Sequence, residues 1–126
     1  MDNTRLLFNE AKERLINAKI ALWNERYNLC VSESYYTMFY GAKSLLSNIN
    51  ITPKKHSGAM SEFSKYYLKT KLFNIEIGKY YFEFEKNRNK ADYDISITFN
   101  KFKAENSIEK AGMFLNECER ILRIDE

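Results

Sequence analysis

Between Asn3 and Asn24 the apolar positions Leu7, Ala11, Leu15, Ala18 and Leu22 recur at steps of four, four, three and four, with charged residues between them. That spacing puts them on one face and predicts an amphipathic helix closed by Trp23. The next stretch differs in kind. Val31, Tyr35, Met38, Ala42 and Leu45 form one stripe, and Tyr36, Phe39, Tyr40 and Leu46 cover most of the remaining circumference. A helix apolar nearly all round belongs in the middle of a bundle. A central helix is therefore predicted over about Tyr27 to Ser47, entered by a turn at Asn24 to Asn28 and ended by Asn48, Ile49 and Asn50. Ser32, Ser34, Gly41 and Ala42 are small enough to let neighbouring helices approach closely. Each tyrosine brings a hydroxyl that needs a partner when buried. A core with phenols at its edge and a polar cleft lined by phenols both fit.

Thr52 followed by Pro53 reads as a cap and first-turn pair opening a third helix, which carries Met60, Phe63 and Tyr67 and extends to about Lys69. After a break at Thr70 to Asn74, the steps of Ile77, Tyr81 and Phe84 predict a fourth helix from Ile75 to about Asn89. The next position on that stripe is Arg88. Lys90 to Thr98 reads as a connecting loop. Ile108, Ala111, Leu115, Cys118 and Leu122 predict a last helix from about Phe99 to Arg123. One proline and four glycines leave little material for a many-turned sheet. The expected fold is all-α, an up-and-down bundle of about five helices forming a single domain over residues 1–126.

A chain of 126 residues can bury roughly two-thirds of the surface its unfolded form exposes, so no staple is needed. Cys30 and Cys118 sit in helical apolar registers and read as packed free thiols, which suits a reducing cytosol. No basic-then-apolar leader and no membrane-length apolar run is present, so a cytoplasmic location is expected. The formal charge is +3, unevenly spread. Residues 52–90 hold nine Lys/Arg against four Asp/Glu, and residues 91–126 hold five against eight. The middle third is the place to look for a phosphate-bearing partner, although a solvated lysine-rich face gives the same surplus.

A single histidine, no cysteine pair at ligand spacing and no glycine-rich loop before a helix argue against zinc and P-loop chemistry. No metal or cofactor is expected. Two places carry other chemistry. At Lys54, Lys55 and His56, a helix start with two lysines could hold an anion or be an ordinary exposed helix end. At Glu85 to Asp94, EKNRNKADYD, the guanidinium of Arg88 falls on a buried stripe. There it needs a carboxylate, a carbonyl, a phenol or a ligand phosphate. Asp92 lies four residues on and could pair with it if the helix persists.

The segments SYYTMFYGAKSLL, KKHSGAMSEF and NRNKADYD together resemble the HEPN family. The likeness is to its small single-domain members with "YYAMFHAA", "H-S-G" and "R-x-x-A-D-Y" patterns, and it extends from about Ala18 to Leu122. The resemblance implies a helical bundle forming a two-fold homodimer. In many members an arginine, a polar residue and a histidine face a shared groove and cleave RNA without a metal, commonly as the toxin of a toxin-antitoxin pair. The implied partner is a minimal nucleotidyltransferase, which in some pairs modifies a tyrosine beside the motif. Other relatives bind nucleotides or act as helical subunits.

Arg88 matches the motif arginine and Asn89 the polar residue after it, but Tyr93 stands where histidine is expected, so the nuclease motif is incomplete. At neutral pH about one phenol in a thousand is ionised, which sets about 4 kcal/mol against Tyr93 as a base. The expectation is a toxin-like HEPN protein that binds RNA or nucleotide phosphate in a dimer groove. Arg88 would hold phosphate, with Asn89 and Asp92 orienting it, and Tyr93 would donate a hydrogen bond or accept a modification. Lys54, Lys55, His56, Lys86 and Lys90 would line the approach. Two alternatives stand beside it: a metal-independent ribonuclease with a non-standard base such as His56, and a non-catalytic helical subunit that docks a nucleotidyltransferase.

Overall fold

The computed structural model describes residues 3–124. Its elements are α1 (Thr4–Trp23), α2 (Tyr27–Asn48), α3 (His56–Phe63), a π-helical turn (Ser64–Leu68), α4 (Ile75–Tyr93) and α5 (Lys101–Ile124). No strand occurs among the described residues. The fold is the all-α bundle that the hydrophobic spacing predicts.

The helix with apolar residues all round takes the centre. α2 packs against α1, α3, α4 and α5, and its buried residues occupy every face, from Cys30 and Val31 to Leu45 and Leu46. Gly41 sets how closely α5 can approach. A Cβ built there would lie 3.1 Å from Cys118 Sγ and 3.5 Å from the Phe114 ring. Around this point Phe63, Phe73, Tyr81, Phe84 and Phe114 fill the core with tilted and edge-on rings, the geometry aromatic quadrupoles prefer. Cys30 and Cys118 are buried free thiols.

The first two helices end alike, with a residue in the left-handed region that satisfies the last carbonyls. At α1, Glu25 (φ 58) lets Arg26 N–H reach Ala21 O at 2.8 Å; at α2, Asn50 (φ 63) lets Ile51 N–H reach Leu46 O at 2.9 Å. The turns expected at Asn24 to Asn28 and Asn48 to Asn50 therefore form.

Several boundaries differ from the sequence reading. Thr52 and Pro53 do not open α3. Proline pushes its predecessor toward extended backbone, residues 51–53 carry no helical structure, and the helix begins at His56 after an extended Lys55 (φ −132, ψ 159). The helical path runs on to Leu68, with Lys69 as its cap, but not as α-helix throughout. It widens after Phe63, and Lys69 N–H reaches Ser64 O five residues back at 2.9 Å. Phe73, in the segment read only as a break, is a core side chain. α4 continues through Tyr93 instead of ending at Asn89, so the connector is 94–100 and not Lys90 to Thr98. The cause is a ladder of side-chain bonds that runs down α4 to Asp92. Asn28 of α2 pins the connector by donating to Ile97 O at 2.9 Å and accepting from Phe99 N–H at 2.8 Å. α5 starts at Lys101, not Phe99, because Asn100 Oδ1 accepts Lys103 N–H at 2.8 Å and caps it.

Candidate functional site

The last two turns of α4 lie against the tyrosine-rich face of α2, and the first turn of α3 closes over the same face. Arg88 is the hub. Its side chain is only 13% exposed, and Cζ sits 4.9 Å from the centroid of the Tyr35 ring, within cation–π range. Nη2 donates to Glu85 Oε1 at 2.9 Å and to Asn89 Oδ1 at 2.9 Å, and Nη1 donates to Asp92 Oδ2 at 2.8 Å. Asn89 Nδ2 returns a bond to Glu85 Oε1 at 2.9 Å. Two turns of helix thus hold a cation between an inner carboxylate, Glu85, and an outer one, Asp92. Burial works against the charge of Arg88, but the hydrogen bond and charge of Glu85, with Tyr35 and Tyr36 nearby, outweigh it and hold the guanidinium above its ordinary pKa.

Beneath the guanidinium, Tyr35 is fully buried. Burial first, then the Tyr81 phenol and the Glu85 carboxylate, push its ionisation far above the usual range, so it remains a hydroxyl at any physiological pH. The hydroxyl lies 3.3 Å from His56 Nδ1. The imidazole is stacked on Phe39 with centroids 4.2 Å apart. Three groups far apart in sequence, Arg88, Tyr35 and His56, therefore form one line through a phenol. Several buried polar atoms beside this line have no hydrogen-bond partner: Tyr81 Oη, Glu85 Oε2, Asn87 Nδ2 and Arg88 Nε. Interiors tolerate few such atoms.

The remaining residues singled out in the sequence are placed as follows. Asn89 and Asp92 join the Arg88 network. Tyr93, Lys86 and Lys90 stand on the solvent side of α4, with Tyr93 85% exposed. Lys54 and Lys55 are exposed beside His56, at the mouth of a pocket of about 230 Å³. Among the described residues no three His, Cys, Asp or Glu side chains gather so as to hold a metal ion. No described helix is long and apolar enough to cross a membrane.

Sequence reasoning left two participants without a role. Glu85 precedes Arg88 by three residues on the same helical face, a spacing that marks it as the inner counter-charge. Tyr35 gave no such signal, because its position on the central stripe suits a core residue equally well.

The family model of the HEPN domain matches residues 4–121, which include every residue of this network. The chain belongs to the HEPN family. Three HEPN relatives define the neighbourhood. A Methanocaldococcus jannaschii protein named "Putative toxin" is 40% identical over 114 residues, covering 90% of this chain and 78% of that one. A Thermotoga maritima "UPF0332 protein" is 34% identical over 112 residues, with coverages of 89% and 85%. A second M. jannaschii protein named "Putative toxin" is 31% identical over 122 residues, with coverages of 97% and 90%. In this HEPN chain the single histidine stands at the start of α3 and not on α4, and it meets Arg88 through Tyr35.

Proposed function

We propose that this chain is a toxin-like HEPN protein that binds RNA or nucleotide phosphate through Arg88, in a groove shared by two copies, and pairs with a minimal nucleotidyltransferase. The observation that carries this reading is the inward guanidinium with one detachable arm. Asp92 is 44% exposed, and a pair so open to water contributes about 0–1 kcal/mol. A phosphate oxygen can take its place on Nη1 at little cost, whereas Glu85, 18% exposed, stays as the inner anchor that aims the fork. The released Nη1–H then makes a charge-assisted hydrogen bond to the phosphate. The names of two relatives as toxins support the toxin-like part of the reading. Fluorescence anisotropy with a labelled single-stranded RNA tests it. Arg88→Ala should keep its helical circular dichroism, weaken binding, and lower the salt slope by about 0.7, the share of one phosphate. Unchanged binding would remove Arg88 from the site, and a wild type that binds no RNA would favour a docking subunit that never touches nucleic acid. Co-expression with the nucleotidyltransferase should give a complex that co-purifies, and separate elution would refute the pairing.

The position of His56 favours a second reading, metal-independent cleavage. The Tyr35 hydroxyl lies 3.3 Å from Nδ1, and in the tautomer that donates Nδ1–H to it the ring is held by a neutral acceptor. This tautomer leaves Nε2 with a free lone pair, and an imidazole is a far better base at neutral pH than the phenol of Tyr93. Nε2 would take the proton of a 2′-hydroxyl as its oxygen attacks phosphorus, the bond to the 5′-oxygen breaks, and that oxygen leaves after gaining a proton from solvent. Incubation with tRNA and a chelator should then yield 2′,3′-cyclic phosphate ends that disappear in His56→Ala. Cyclic ends that persist in that variant would refute His56 as the base.

A further inference from the structure

The positive charge near the candidate site is not where Arg88 stands. Arg88 is neutralised by Glu85 and Asp92, and Arg14, on the other side of the tyrosine face, by Glu10 and Glu33. The free charge lies around the corner. Lys43, Lys54 and Lys55 line one pocket with Phe39, Tyr40 and His56. No acidic residue lines it, and among the described residues none of the three lysines has an ion pair. Lysines without an ion pair are common on this surface, Lys103 and Lys110 on Glu83 being exceptions; these three differ in sharing one pocket with aromatic rings and no acidic residue.

The walls of this pocket are π-faces. His56 lies flat on Phe39, Phe39 meets Tyr40 edge-on at 5.1 Å, and Lys43 Nζ stands 5.3 Å from the Phe39 centroid and 5.8 Å from that of Tyr40. A volume of about 230 Å³ is below the roughly 300–1,000 Å³ of clefts that enclose drug-sized ligands, so it admits one base and not an entire dinucleotide cofactor. Aromatic faces beside unpaired lysines are the combination that holds single-stranded nucleic acid, with bases stacked and phosphates neutralised. His56 is common to the pocket and, through Tyr35, to the Arg88 network.

We infer that the Phe39–Tyr40–His56 pocket with Lys43, Lys54 and Lys55 is a nucleotide subsite, holding the unit of a single RNA strand next to the one whose phosphate Arg88 takes. The inference rests on the reading of Arg88 as a phosphate ligand and adds the substrate class, an unpaired strand that spans both places. A base stacks on Tyr40 and the outer face of His56, Lys43 turns from the rings to the phosphate, and Lys54 and Lys55 guard the exit.

Anisotropy with a labelled short oligoadenylate, with AMP as competitor, tests it. Tyr40→Leu should weaken the oligonucleotide about tenfold. Lys43→Gln and the double variant Lys54→Gln, Lys55→Gln should each lower the salt slope, by about 0.7 for every phosphate that is no longer neutralised. Tyr40 also packs against Arg14 and Lys43, so its variant can lose fold; Lys54 and Lys55 are exposed and carry the test without that risk. If Arg88→Ala weakens binding while the lysine variants match the wild type in affinity and slope, the subsite is overturned and the role of Arg88 stands. If the lysine variants weaken binding and Arg88→Ala does not, the pocket stands and the Arg88 reading falls. AMP that binds as tightly as the oligonucleotide overturns the strand, as does a duplex of equal length that binds equally well. A wild type that binds no oligoadenylate refutes both.

Discussion

Glu85→Gln isolates the electrostatics of the candidate site because it keeps the size of the side chain and one acceptor oxygen while removing the charge. At ion-pair distance near a surface the attraction between unit charges is about 4 kcal/mol. Glutamine can still accept from Nη2, and Asp92 still holds Nη1 at 2.8 Å, so roughly half should be retained and the variant should lose about 2 kcal/mol. For a domain of this size that lowers Tm by about 6–10 °C. Urea titrations and thermal melts followed by circular dichroism measure it, in wild-type and Arg88→Met backgrounds. With the cation gone, Glu85→Gln should cost little, and the cycle should give a coupling of about 2 kcal/mol. An equal cost in both backgrounds would refute the assignment of Glu85 as the anchor.

Tyr81→Phe deletes a buried hydroxyl that has no partner and leaves the ring packing, so stability should be unchanged or rise by up to about 1 kcal/mol; a loss larger than that in urea titration would mean the hydroxyl is satisfied. Burial raises the phenols of Tyr35 and Tyr81 above the value of about 10 that they have in the unfolded chain. Their contribution to stability is complete below pH 10 and is lost as pH climbs toward their folded values. An ultraviolet titration should show that these two ionise only on unfolding, and their titration near pH 10 in the folded protein would refute their burial. Asn74 Oδ1 accepts Ile77 N–H at 3.0 Å and caps α4, so Asn74→Ala should cost about 1 kcal/mol. An unchanged urea midpoint would show that the cap contributes nothing.

Apolar spacing alone was enough to place the helices, because a 3.6-residue period leaves a helix few ways to bury its stripe. It even singled out Arg88 on the inner face of α4, and the Glu85, Asn89 and Asp92 partners lie within four residues on the same surface, where i to i+3 and i+4 geometry is local. Boundaries were less legible. Pro53 suits a helix start and an extended entry equally, and the choice falls to where α3 must land so that Ala59 and Phe63 enter the core. Asn28 holds a connector more than sixty residues away, which no local pattern announces.

The sequence by itself determined the helical class, the central place of α2 and the inward cation on α4, since each follows from periodicity within a single element. Only the tertiary structure decided that His56 meets Tyr35, that Tyr35 lies under Arg88, and that three unpaired lysines share a pocket with aromatic rings. Those meetings join α2, α3 and α4, and which side chains touch across elements depends on how the helices are packed, with Gly41 setting how close α5 comes to α2.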